Sequence, residues 1–221
     1  MFLSSSLFLG EIIAMFATRN KIVVAIVFAL GFGAPIQVQA AAINLTSPGQ
    51  EYSGGLYTLG FLFTVNSDTA ITSLGIYDSG ADGLNSPGSV GLWDTAGTLL
   101  TWATVPAGTV GELDGLFRYV NISDFGLIAG TQYVIGAFTT DLASSLGTGQ
   151  GGTGSIDANV NVIEDRFSNF NSIFSFPAFS NGFVGGAWLG ANFRTNVVPE
   201  PGSLALLGLG FAGFASARRR K

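Results

Sequence analysis

Residues 89–105 read SVGLWDTAGTLLTWATV. Two uncharged stretches rich in β-branched and aromatic residues, Ser89–Trp93 and Thr98–Val105, flank Asp94-Thr95-Ala96-Gly97. Asp opens a type I turn well, and Gly takes the left-handed position that closes it. The stretch therefore predicts a β-hairpin, with Trp93 on one strand and Trp102 on the other.

Working outward, further strand patterns recur at short intervals with no long helical period between them. Tyr57–Val65 (YTLGFLFTV), Ile71–Tyr77 (ITSLGIY), Leu116–Ile122 and Thr131–Phe138 (TQYVIGAF) read as strands. Ser155–Ile163 and Gly186–Phe193 are expected as closing strands. Asp78–Gly88 is a run of turn formers and predicts a loop. Thr148–Gly154 (TGQGGTG) predicts a flexible one. The fold class that follows is all-β, an antiparallel β-sandwich or jelly roll, formed by one body over residues 41–196. Residues 166–185 carry six phenylalanines and Pro177 at a spacing that fits neither helix nor strand. They either cover one end of the sandwich or form an exposed binding patch.

Charge narrows the function classes. The body holds three cations, Arg118, Arg166 and Arg194, against twelve acids, a net charge of −9. Nucleic-acid binding needs Lys and Arg for phosphate contacts, so a nucleic-acid partner is excluded. The chain has no histidine and no cysteine. That removes Ser-His-Asp and Cys-His catalysis, zinc sites with His or Cys ligands, and any disulfide framework. No P-loop or strand-following G-x-G-x-x-G appears. No cofactor is implied.

Three groups of candidate binding residues remain. Trp93, Trp102 and Trp188 are either core or ring platforms for a carbohydrate. Asp78, Asp82 and Asn85 place hard oxygen donors in one loop, a candidate calcium set that lacks the regular D-x-D-x-D spacing; an Asx-rich turn is the competing reading. A two-carboxylate hydrolase stays open. No acid pair stands out for it, since Glu112 and Asp114 lie in a glycine-flanked turn and are expected to be solvated.

The two ends read differently from the body. Arg19 and Lys21 precede an apolar run over Ile22–Phe32, then Val38-Gln39-Ala40. This is the pattern of a secretory signal helix over residues 1–40, cut after Ala40, with Met15 as an alternative start and an uncleaved anchor as the rival reading. At the other end, Val198-Pro199-Glu200-Pro201 forms a stiff extended spacer. An uncharged run, Leu204–Ala217, follows, then Arg218, Arg219, Arg220 and Lys221. The run is short against the roughly 20 apolar residues of a full span. Its trailing cations suit a stop-transfer segment with a cytoplasmic end.

Residues 197–221, with Pro-Glu-Pro, a short apolar helix and a basic terminus in that order, resemble the PEP-CTERM sorting signal of Gram-negative bacteria that make exopolysaccharide. The resemblance implies recognition by an exosortase, a membrane cysteine protease that would cut near Pro199-Glu200-Pro201. It implies passage through the secretion machinery and transient anchoring in the inner membrane. It also implies a final place at the cell surface or outside the cell. The reading that follows is a non-catalytic surface or matrix protein associated with exopolysaccharide, with a carbohydrate-binding module as the alternative. Within the body, ITSLGIYDSGADGL, VGLWDTAGTLL, FRYV and GTQYVIGA resemble a secreted β-sandwich module of the DUF4082 type, which implies the same fold and brings no catalytic residue with it.

Overall fold

The computed structural model describes residues 38–48, 51–53, 56–139, 145–148, 153–170, 173–182 and 188–197. Residues 1–37 of the expected signal helix, the spacer from Val198 and the expected C-terminal helix lie outside the described residues. Among those described, no helix is long and apolar enough to cross a membrane.

The hairpin forms where the sequence places it. It joins β6 (Gly88–Asp94) to β7 (Leu99–Val105). The Gly97 N–H donates to the Asp94 carbonyl at 3.1 Å, and the Asp94 carboxylate accepts from the Thr98 N–H at 2.8 Å. Gly97 has φ of 89°, the left-handed value this turn requires. The backbone N–H of Thr98 holds the Asp94 carboxyl below the usual carboxylate range.

Two five-stranded antiparallel sheets are built around that hairpin. The first orders β1 (Val38–Ala41), β14 (Ala191–Val197), β5 (Thr69–Tyr77), β9 (Phe117–Leu127) and β8 (Glu112–Asp114). The second orders β13 (Val160–Phe167), β4 (Leu59–Val65), β10 (Gln132–Thr139), β6 and β7. Two smaller pairs complete the body: β2 (Ile43–Ser47) with β12 (Thr153–Ile156), and β3 (Glu51–Ser53) with β11 (Ser145–Thr148).

The inner faces follow from the alternation of side chains along each strand. Leu74, Ile76 and Phe193 from the first sheet share one core with Phe61, Phe63, Val90, Leu92 and Ile135 from the second. The Phe63 and Phe193 rings lie 5.0 Å apart and tie the two sheets together. Burial of these side chains is the main stabilising term, about 1.5–3 kcal/mol for each large apolar group.

Three expectations are corrected. The single closing strand over 155–163 is two strands, because Asp157 makes a turn: its carboxylate accepts from the Asn159 N–H and its carbonyl from the Val160 N–H. The final strand runs later, to Val197. Glu112 and Asp114 are solvated as expected, but they are not in a turn. They form β8, the edge of the first sheet. Ala40, the expected signal cut, lies in β1 opposite Thr195. Val38 pairs with Val197, so the chain enters and leaves the sheet at one corner.

Candidate functional site

The outer face of the second sheet gathers four of the aromatic side chains that the sequence singles out, Trp93, Trp102, Phe174 and Phe176. Leu62, Trp93 and Val134 stand side by side on adjacent strands and form a small apolar cluster of their own. Phe174 and Phe176 lie over them, with ring centroids 5.1 and 6.2 Å from Trp93. The phenylalanine-rich segment therefore covers a sheet face, not an end of the sandwich. Gly91 permits the close approach: a Cβ there would stand 2.7 Å from the Phe174 ring.

The segment is pinned at both ends by hydrogen bonds to the sheet. At its start, the Thr58 N–H donates to Ser168 Oγ at 2.9 Å, and the Ser175 N–H donates to Thr58 Oγ1 at 3.1 Å. Phe167 and Phe179 exchange backbone hydrogen bonds. At its end, the buried Asp165 carboxylate accepts from Ser180 Oγ, from the Asn181 N–H and side-chain amide, and from Trp188 Nε1 at 3.2 Å. Trp188 thus spends its polar edge on an internal anchor.

The three tryptophans have three different places. Trp93 is 3% exposed, beneath the phenylalanines. Trp188 is half-buried and bonded to Asp165. Trp102, on the same outer face as Trp93, is 54% exposed; its ring centroid lies 6.3 Å from that of Phe174, and Leu99 beside it is 42% exposed. Of the candidate platform residues, Trp102 alone offers most of its ring to solvent.

The loop acids separate in a similar way. Asp78 is buried and paired with Arg118 Nε at 2.6 Å, while the Gly83 N–H donates to both of its carboxylate oxygens. Arg118 also donates to the carbonyls of Gly111 and Ala81. Asp82 and Asn85 are exposed. The Asp78 side chain thus acts as the inner clasp of an Asx-rich turn. Among the described residues, no group of three His, Cys, Asp or Glu is placed to hold a metal ion.

Sequence reasoning misses a polar cluster on the outer face of the first sheet. Arg194 is buried and pairs with Glu112 and Asp114, each at 3.0 Å. Its guanidinium lies 4.0 Å from the centroid of the Tyr119 ring, and it donates to Gln39 Oε1 at 3.3 Å. Burial pushes the Tyr119 hydroxyl well above the ordinary tyrosine range, against the opposing pull of Arg194. The Tyr77 hydroxyl is raised for the same first reason, and it donates to Glu51. One signal was available: a body with three arginines among twelve acids uses each of them. Arg118, Arg166 and Arg194 are all ion-paired, but spacing alone does not reveal with which acid.

The sorting residues Val198, Pro199, Glu200 and Pro201, and the basic cluster Arg218–Lys221, lie outside the described residues. The strand that leads to them does not. β14 sits between β1 and β5 in the first sheet and ends at Val197. No curated protein and no solved structure matches the chain, and the likeness of the body to a DUF4082-type module gains no support from these comparisons. Residues 197–221 match the PEP-CTERM protein-sorting motif, which implies export, transient membrane anchoring and processing by exosortase; the chain carries that motif directly behind the last strand of its all-β body.

Proposed function

We propose that this chain is an exported, non-catalytic surface or matrix protein, sorted by exosortase and associated with exopolysaccharide. The observation that carries the reading is the sorting motif over residues 197–221, which begins on the last residue of β14. A cut near Pro199-Glu200-Pro201 would leave every strand of the body in place. Its non-catalytic character is supported by the use of the acids: Asp78, Glu112, Asp114 and Glu164 are each held by an arginine, and Asp165 is filled by protein donors. Deleting residues 204–221 should release the body from the membrane fraction in soluble form. A deletion variant that still sediments with membranes would defeat the anchor.

A second reading, a carbohydrate-binding body, is favoured by one observation. Trp102 keeps its ring exposed on an outer sheet face beside Leu99 and Phe174. On a glycan array, Trp102→Ala should then lose the signal that Trp188→Ala retains. An array with no glycan bound by the unaltered protein would remove this reading.

A further inference from the structure

We infer that the exposed flank of β7 is a self-association surface, on which a second copy of this chain docks about a two-fold axis near Trp102. The inference goes beyond sorting, and it starts from charge. Two stretches build this flank, 95–111 and 173–182, and neither contains a charged residue; the Asp94 carboxylate, bonded to the Thr98 N–H, stands at the turn that bounds it. They meet where Trp102 approaches Phe174. Leu99 and Trp102 are exposed there, as is Ile173, the residue before Phe174.

Of the other edges of the two larger sheets, β8 and β13 carry charge, and β1 is only four residues long. β8 carries Glu112 and Asp114, and β13 carries Glu164, Asp165 and Arg166 with Phe179 bonded to its end. Natural edge strands are commonly protected by charge, proline or cover. From Leu99 to Val105, β7 has neither charge nor proline, and among the described residues it is laddered to β6 alone.

A second copy fits the flank for an electrostatic reason. With a net charge of −9, two bodies repel through most of their surfaces. Contact through the uncharged flank keeps the acids of the two copies apart. A two-fold contact sets like patch on like patch, which a neutral aromatic surface tolerates and a charged one does not. Transient anchoring confines copies to one membrane surface, so even a weak contact becomes populated there through raised effective concentration.

The chain has no cysteine, so a single introduced thiol reports contact between copies without background. Thr98 and Thr104 are exposed on the flank, and Ser123 is exposed on β9. Full-length chain carrying Thr104→Cys or Thr98→Cys, oxidised in its own membranes, should give a disulfide-linked dimer. Ser123→Cys should not. Adding Leu99→Glu, which sets like charges against each other across the contact, should cut the Thr104→Cys dimer at least tenfold. The inference is overturned if neither flank variant crosslinks above Ser123→Cys, or if Leu99→Glu leaves the yield unchanged. Absent crosslinks together with Trp102-dependent glycan binding would assign the flank to a saccharide instead. Because crosslinking is read in the membrane-anchored full chain, its failure leaves the sorting reading intact, and a failed sorting test is read separately in the fractionation.

Discussion

The two sheets cover their outer faces by opposite means. On the second, Leu62, Trp93 and Val134 are sealed under Phe174 and Phe176, with no ion in the contact. On the first, the buried Arg194 lies across Tyr119 and reaches the edge acids Glu112 and Asp114, while the Asn192 side chain bonds both the N–H and the carbonyl of Ile43. A chain this poor in cations can guard only a few places with charge. It concentrates charge at the edge of one face and covers the other with rings. That difference leaves the uncharged flank at β7.

The comparison is broken most sharply at Trp93. Trp93→Ala removes the floor on which both phenylalanines rest. It should cost about 3–5 kcal/mol, the range for truncating a buried large aromatic. Because dispersion and burial dominate there, denaturant unfolding of the detergent-solubilised chain should show the same loss at low and at high salt. A loss that shrinks with added salt would mean that the face is held by something other than ring packing.

The polar face should respond less and differently. Arg194→Leu removes both ion pairs and the cation over Tyr119, but Glu112 and Asp114 are 65% and 52% exposed and return to water. The expected cost is about 2 kcal/mol. Part of it should disappear at high salt, where the ion pairs of the unaltered protein are themselves screened. Equal losses at both salt concentrations would erase the contrast between the faces.

Legibility in the sequence tracks the same divide. The hairpin was readable because Asp94 and Gly97 state their turn locally, and β4, β5 and β10 because apolar runs between turn formers need nothing remote to define them. The cover over Trp93 was half readable: six phenylalanines announce burial or display, but which one depends on Asp165 capturing Ser180 and Asn181. β1, β2 and β8 were not readable. Each is short; β1 and β2 are defined by partners far along the chain, as Ala40 is by Thr195, and the three residues of β8 are too few to show a period. The Arg194 cluster joins positions from Gln39 to Arg194, and no local period encodes such a contact. The tail was the most legible part, because its order of stiff spacer, apolar run and cations is written in consecutive residues.

The smallest change expected is also the most selective. The Tyr119 hydroxyl is buried beside Asn192 and Arg194, so Tyr119→Phe should change stability by no more than about 1 kcal/mol at pH 7, with the ring kept under Arg194. Its effect should appear on the alkaline side. The folded chain holds the Tyr119 proton more tightly than the unfolded chain does, where a tyrosine titrates near its usual value of about 10. This contribution to stability is complete below that pH. It is lost as pH rises from there toward the raised folded value, because the unfolded chain releases its proton first. Denaturation midpoints taken at pH 7 and again above about pH 10 should therefore fall less in Tyr119→Phe than in the unaltered protein. Tyr77, raised by its own burial, should keep the remaining slope. Parallel midpoint curves for the two proteins would show that the hydroxyl under Arg194 titrates as freely in the folded sheet as in the unfolded chain.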